Sequence, residues 1–221
     1  MGAFIDFTVD SIEQDNSLLF SHIANDLCNQ GFSILPNALP VSLAEKLYVH
    51  ATAMSQDDFT HAAIGRHQRN RRSSKVRSQM QKWIENDSDT NSCWLDWAAQ
   101  LQTHLNRHLF LGLFTFESQY ALYRPGDFYR RHYDAFKGES SRTLSVIVYL
   151  NKDWLESDGG ELVLYQSDAD LVGIKVRPSF ATVVVFMSDA YPHEVLRANR
   201  DRFSVAGWFS PNISNPLLST I

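Results

Sequence analysis

The chain has little cysteine and no long hydrophobic run. Only two cysteines occur among its 221 residues, Cys28 and Cys93, and they form no CxxC pair. This excludes a disulfide framework and the common structural zinc sites, and it fits a reducing compartment. No apolar stretch approaches the roughly 20 residues of a transmembrane helix, and the N-terminus lacks a basic segment followed by an apolar one. We therefore expect a cytoplasmic protein with no membrane contact.

Charge of one sign is not in large excess. The net charge is −5, hydrophobic residues make up 44% and charged residues 20% of the chain. This composition is typical of a globular protein rather than a disordered one, and the length suits one domain spanning residues 1–221. The acidic balance opposes general nucleic-acid binding.

The first half, roughly residues 1–110, has helical patterns. Leu19, Ile23 and Leu27 recur at a spacing of four and predict a helix over Asn16–Gly31. Ser42 and Glu45 have the spacing of a capping box, which places the start of a second helix near Ser42. Further segments are a short strand over Phe32–Leu35 and a third helix over Ser92–Leu109 that is expected to lie across a sheet.

The second half, roughly residues 111–210, consists of short runs rich in Val, Tyr, Phe and Leu separated by turn residues. The predicted strands are Phe116–Tyr123, Thr143–Leu150, Glu161–Tyr165, Lys175–Arg177, Ala181–Phe186 and Arg202–Phe209. Strands at this spacing favour a mainly β fold, a sandwich or jelly roll, over a parallel α/β sheet.

A basic stretch lies between the two halves. Residues 66–77 hold six basic side chains, Arg66, Arg69, Arg71, Arg72, Lys75 and Arg77, with little hydrophobic periodicity. Two interpretations stay open: a solvated surface segment, or a loop that faces a substrate or partner.

The residues that indicate chemistry lie in the second half. His132 and Asp134 are two residues apart, and His193 follows much later. Two imidazoles and one carboxylate on one face of a metal ion, with the other face open, are the ligand set of non-heme Fe(II) oxygenases. Residues i and i+2 of a β-strand point the same way, so His132 and Asp134 can converge on one ion.

Arg202 adds a second element to this pattern. Arg202 and Ser204 begin a predicted strand nine residues after His193, and alternation places them on one face with Ala206 and Trp208. An arginine that points into a β interior needs an anionic partner, because an unpaired buried charge is costly. Its planar guanidinium suits a ligand carboxylate, to which Ser204 can add a hydrogen bond.

With these residues identified, the chain resembles the Fe(II)- and 2-oxoglutarate-dependent dioxygenases. More narrowly, it resembles the prolyl 4-hydroxylases of the hypoxia-sensing type and their bacterial homologues. The resemblance is carried by the stretches Tyr123–Asp134, Tyr149–Trp154 (YLNKDW), Gly159–Leu162, Pro192–Val195 and Arg202–Trp208. It implies a double-stranded β-helix (jelly-roll, cupin-like) core with N-terminal helices packed on one sheet.

The resemblance also implies a role for each matching residue. His132, Asp134 and His193 match the Fe(II) ligands, and Arg202 matches the residue that pairs with the distal carboxylate of 2-oxoglutarate. The other implied contacts are Tyr149 on the same carboxylate, Tyr123 as a looser cosubstrate match, Tyr129 beside the metal, Leu162 and Trp208 as pocket walls, and Arg142 and Arg77 near a peptide substrate. Ascorbate is a further candidate cofactor.

The leading hypothesis is hydroxylation of a prolyl residue in a protein, using O2 and releasing succinate and CO2. Bacterial relatives of this type modify a translation elongation factor, which makes such a factor a candidate partner. A second hypothesis is an oxygenase for a free amino acid, another side chain or a methylated nucleic-acid base. A third is a non-catalytic sensor or scaffold that retains the metal. The family has Gly-Asp after the arginine matched by Arg77, whereas this chain has Ser78 and Gln79, so a more acidic substrate segment is expected.

Overall fold

Three helices and two β-sheets make up the described part of the chain. The structure, a computed structural model, describes residues 8–61, 77–135 and 142–212. The helices are α1 (Thr8–Gln30), α2 (Val41–Ala53) and α3 (Asp89–Leu109). None of the helices in these ranges is long and apolar enough to cross a membrane.

The strands pair almost entirely in antiparallel fashion. They are β1 (Phe32–Leu35), β2 (Thr60–His61), β3 (Met80–Trp83), β4 (Leu113–Tyr123), β5 (Tyr129–His132), β6 (Leu144–Tyr149), β7 (Leu162–Leu164), β8 (Ile174–Val176), β9 (Val183–Met187), β10 (His193–Val195) and β11 (Arg202–Pro211). One sheet has the order β1-β9-β6-β11-β4-β3-β2, and the other has the order β5-β10-β7-β8. The two sheets form the predicted jelly-roll core.

The larger sheet is covered on one face by the helices. Successive residues of a strand point to opposite faces, so each strand contributes to two layers. On β6, Val146 and Val148 face the helices, where they pack with Trp94, Leu101 and Leu105 of α3. The helical layer on one sheet, predicted above, is therefore confirmed.

The opposite face of the larger sheet meets the smaller sheet. Tyr149 of β6 and Tyr123 of β4 pack there with Leu162 and Leu164 of β7 and with Val195 of β10. This second layer contains the residues that the sequence marks for chemistry.

Several predicted boundaries differ from the structure. The helix predicted over Asn16–Gly31 begins at Thr8, and the one predicted from Ser92 begins at Asp89, where Ser88 accepts a hydrogen bond from the Asn91 amide. The capping box at Ser42 is wrong: the residue before α2 is Pro40, and no side chain caps the helix. The Pro40 carbonyl accepts from the Leu43 and Ala44 amides, and the helix starts at Val41, one residue before Ser42.

Candidate metal centre

Three side chains that could hold a metal ion meet between the two sheets. His132 is the last residue of β5, His193 is the first residue of β10, and the two are paired across the smaller sheet. Asp134 Oδ1 lies 3.6 Å from His132 Nε2, and Asp134 Oδ2 lies 3.7 Å from His193 Nε2. Within the described ranges no other group of three His, Cys, Asp or Glu residues brings its ligand atoms within 4.8 Å of one another.

The strand prediction for this triplet was half right. β5 ends at His132, and Asp134 lies in a bend two residues further on. Asp134 therefore does not reach His132 through strand alternation. The chain turns after His132, and the turn brings the carboxylate back toward both imidazoles.

Backbone carbonyls orient both imidazole rings. The Nδ1 atom of His132 lies 2.8 Å from the Arg130 carbonyl oxygen, and Nδ1 of His193 lies 3.2 Å from the Tyr191 carbonyl oxygen. A carbonyl only accepts, so we assign the proton of each ring to Nδ1. The Nε2 lone pairs that face Asp134 are then available to a metal.

The electrostatics keep the site in its metal-binding form. Burial and the neighbouring His132 lower the pKa of His193 to about 4, against the partial opposition of Asp134. Burial alone would raise the pKa of Asp134, but the two histidines and Arg142 outweigh it and hold that pKa well below its usual range. A neutral imidazole beside an ionised carboxylate is the protonation state that a metal needs.

A buried arginine lies deeper between the sheets. Arg202 is only 2% exposed, its Nε donates to the Gly160 carbonyl at 2.8 Å, and its Nη1 lies 3.4 Å from Ser204 Oγ. The guanidinium lies 4.8 Å and 5.0 Å from the ring centres of Tyr123 and Tyr149. No carboxylate of the described residues forms an ion pair with it, which leaves the charge without an anionic partner in that part of the chain.

Tyr149, beside Arg202, has a hydroxyl that lacks a hydrogen-bond acceptor among the described residues. Tyr149 is fully buried, and its hydroxyl makes no hydrogen bond with the described residues. Burial raises its pKa to about 12 despite the nearby Arg202, so the phenol is a neutral donor. A buried donor without an acceptor is costly. The Arg202 guanidinium and the Tyr149 hydroxyl together can bind the carboxylate of a small acid, such as the distal carboxylate of 2-oxoglutarate.

The remaining predicted contacts line the same interior. Strand pairing places Arg202 opposite Tyr123 and Ser204 opposite Tyr149, so alternation along β11 works as predicted. Leu162 is fully buried on β7, and the Tyr129 ring stacks on His132 with 3.6 Å between ring centres.

Trp208 marks the edge of this interior together with the two arginines predicted to approach a substrate. Arg142 stacks over Trp208 at 3.9 Å and pairs with Glu117, with Nη2 to Oε1 at 2.6 Å. Arg77 forms a backbone bridge with Tyr129, and its guanidinium lies 5.3 Å from that ring. The rest of the basic stretch, residues 66–76, lies outside the described residues.

Sequence reasoning missed several residues that shape the site. Ser145 donates to Asp134, Ser188 contacts Ser145, and Glu117 engages Arg142. Gly160 also shapes the site, because a Cβ there would lie 3.0 Å from the Arg202 side chain. Ser145 alone had a usable signal, because alternation on β6 places it on the same face as Tyr149.

Comparison with known proteins agrees with this geometry. Residues 118–210 match the family model of the 2OG-Fe(II) oxygenase superfamily. A prolyl-4-hydroxylase structure from Pseudomonas putida has 34% sequence identity and a TM-score of 0.77, covering 88% of this chain and 99% of that chain. A prolyl hydroxylase from Trichoplax adhaerens, solved with a hypoxia-inducible-factor peptide, has 25% identity and a TM-score of 0.80, covering 93% and 94%.

Curated relatives match over a shorter region. Human Egl nine homolog 1 is 32% identical over 85 residues, which is 38% of this chain and 20% of that protein. The rat protein of the same name has the same identity, and the match covers 25% of its length. The chain therefore spans a quarter or less of these relatives.

Proposed function

We propose, from the premise that the chain belongs to the 2OG-Fe(II) oxygenase superfamily, that it hydroxylates a prolyl residue in a protein substrate. The binding of 2-oxoglutarate is supported by the buried Arg202 beside the unpaired Tyr149 hydroxyl, which lie between the same two sheets as His132, Asp134 and His193. The prolyl substrate is supported by the likeness to the Pseudomonas putida enzyme over nearly its whole length.

Each residue has a defined task in this proposal. His132, Asp134 and His193 hold Fe(II), which when bound supplies the oxidising chemistry with O2 and 2-oxoglutarate. Arg202 and Tyr149 bind the distal carboxylate of 2-oxoglutarate. Further contacts to the cosubstrate come from Ser204 and Tyr123, and its pocket is walled by Leu162 and Trp208, with Tyr129 packed against His132.

Burial supports this division of tasks. Arg202, Tyr149 and Leu162 are each at most 2% exposed, so a bound acid is shielded from water on their side. Exclusion of water strengthens the ionic contact to Arg202 and protects reactive species from side reactions. The His132 and Asp134 side chains are 17% and 10% exposed, which leaves the metal side of the pocket accessible to a substrate.

The substrate side is formed by Arg142 and Arg77 in this proposal. Arg142 is already paired with Glu117, so only part of its charge is available to a substrate. The proposal also includes a translation elongation factor as the protein partner and ascorbate as an accessory cofactor. It further includes a cytoplasmic location, with which the free cysteines Cys28 and Cys93 are compatible.

The test is direct. The purified protein is incubated with Fe(II), 2-oxoglutarate and either a cytosolic extract or a purified elongation factor, and proteins are analysed by mass spectrometry. We expect a one-oxygen gain on proline with stoichiometric succinate. Oxidation confined to another side chain, a free amino acid or a nucleobase would favour the second hypothesis. Iron binding without succinate in any mixture would leave only the sensor or scaffold.

A further inference from the structure

One buried serine hydroxyl contacts the Asp134 carboxylate, and a second buried serine hydroxyl contacts the first. Ser145 lies on β6 and Ser188 directly follows β9, and they are 1% and 0% exposed. Ser145 Oγ lies 2.7 Å from Asp134 Oδ2 and 2.8 Å from Ser188 Oγ. The three side chains form a short chain of hydrogen bonds that ends on the carboxylate.

The direction of these hydrogen bonds follows from donor and acceptor chemistry. A metal-binding carboxylate is ionised and only accepts, so the single proton of Ser145 must be donated to Asp134. Ser145 therefore accepts from Ser188, which has to be the donor in that contact. A hydroxyl that accepts while it donates is polarised, and this strengthens its bond to the carboxylate.

The backbone fixes the same geometry. The Ala135 amide, next to Asp134, donates to the Ser188 carbonyl at 3.3 Å, and the Ser188 amide donates to the Thr143 carbonyl at 3.0 Å. The bend that carries Asp134 is thus tied to Ser188 by the main chain as well as through Ser145.

This arrangement distinguishes the two oxygens of Asp134. Oδ1 faces His132 Nε2 at 3.6 Å, while Oδ2 faces His193 Nε2 at 3.7 Å and also accepts from Ser145. A carboxylate can bind a cation through one oxygen or through both. Binding through both would occupy one more position on the ion.

We propose that Ser145, aligned by Ser188, is a positioning residue that keeps Asp134 a one-oxygen ligand through Oδ1. The consequence is an open face large enough for a chelating acid and O2 together. The inference rests on the metal site of the proposed function, but it does not depend on which substrate is hydroxylated.

The chain offers a matched control. Ser33 on β1 is 1% exposed, and its Oγ donates to Asp26 Oδ2 of α1 at 2.7 Å. Ser33→Ala and Ser145→Ala therefore each remove one buried serine-to-carboxylate hydrogen bond of the same length. Only Ser145→Ala removes one that ends on a metal-binding residue.

The experiment measures Co(II) binding and its visible absorption spectrum in the full chain, without substrate or turnover. Ser145→Ala should weaken Co(II) binding about 10-fold or more and change the spectrum, as loss of an outer hydrogen bond to a ligand typically does. Ser188→Ala should shift the spectrum in the same direction by less. Ser145→Thr should restore the wild-type behaviour, and Ser33→Ala should lower thermal stability without affecting Co(II).

Wild-type Co(II) affinity and spectrum in Ser145→Ala would overturn the inference, as would an equal loss in Ser33→Ala. If Ser145→Ala does not fold, an unchanged spectrum in Ser188→Ala overturns it instead. A wild-type protein that binds no Co(II) would sink both this inference and the proposed function. The expected Co(II) results without prolyl hydroxylation would sink the proposed substrate alone.

Discussion

The two sides of the larger sheet differ in how many polar and ionisable groups they bury. Toward the helices, fully buried apolar groups such as Trp94, Leu101 and Val146 fill the space. Toward the smaller sheet, Arg202, His193 and Tyr149 are buried almost as completely, although each carries a polar or ionisable group. One strand can serve both layers, because its side chains alternate between the two faces.

Apolar and polar burial have opposite effects on the stability of the protein without a ligand. Burial of apolar surface stabilises the helical layer by about 25 cal/mol per Å². Burial of an unpaired guanidinium or hydroxyl costs free energy until a ligand satisfies it. We therefore expect substitutions in the helical layer to change folding, and substitutions between the sheets to change ligand binding.

The sharpest test of this division is Arg202→Ala. Loss of the ionic contact to the 2-oxoglutarate carboxylate should lower kcat/KM for 2-oxoglutarate on the order of 100-fold or more. Metal binding should persist, because Arg202 is not one of the three clustered residues. Succinate release and Co(II) titration measure the two effects, and Arg200→Ala, an exposed arginine two residues earlier, is the control. Full 2-oxoglutarate turnover in Arg202→Ala would remove the cosubstrate assignment.

The converse test is Leu101→Ala in the helical layer. Leu101 is fully buried in α3, so its truncation should lower the free energy of unfolding by about 2–5 kcal/mol. Urea unfolding measures this loss. Co(II) affinity of the folded fraction should remain at the wild-type value, and a large change there would break the division between the layers.

Acid pH should lower the free energy of unfolding of the metal-free protein, because His193 is buried in its neutral form. The pKa of His193 is about 4 in the folded state and near the ordinary 6.5 in the unfolded state. The unfolded state therefore binds more protons between these values, and the free energy of unfolding should fall as pH drops from 6.5 toward 4. The loss is about 3 kcal/mol over this window.

The measurement is urea unfolding as a function of pH, with His193→Gln as the control. Substitution removes this titration, so the variant should show a flatter dependence above pH 4. Equal slopes in both proteins would show that His193 is not the group responsible.

The smallest expected effect is that of Tyr149→Phe, which should preserve or raise stability while lowering the affinity for 2-oxoglutarate. Tyr149→Phe removes a buried hydroxyl that has no partner among the described residues, so the metal-free protein should be as stable as the wild type or more so. Affinity for 2-oxoglutarate should fall by about 1 kcal/mol, or roughly fivefold. Thermal unfolding and 2-oxoglutarate titration check the two signs, and a less stable variant with unchanged affinity would contradict the assignment.

Much of the site could be predicted because it depends on residue type and local alternation. His132, His193 and Arg202 were identified by spacing and by what a buried charge requires, and all of them lie in one interior. The bend at Asp134 could not be predicted in the same way, because two residues of separation suit both a strand and a turn. The start of α2 was predicted to within one residue, but the capping box was wrong, because Ser42 and Glu45 have the spacing of a cap while the residue at the cap position is Pro40.

The amino-acid sequence specifies the reactive side chains: two histidines and an arginine on strands whose alternation directs them inward, and a carboxylate two residues after the first histidine. Which distant groups contact these side chains depends on how the whole chain packs. Ser145 reaches Asp134 and is itself contacted by Ser188, and Glu117 reaches Arg142, because the register of the sheets brings together segments far apart in the chain. Register depends on how whole sheets pack, whereas alternation is a property of each strand alone.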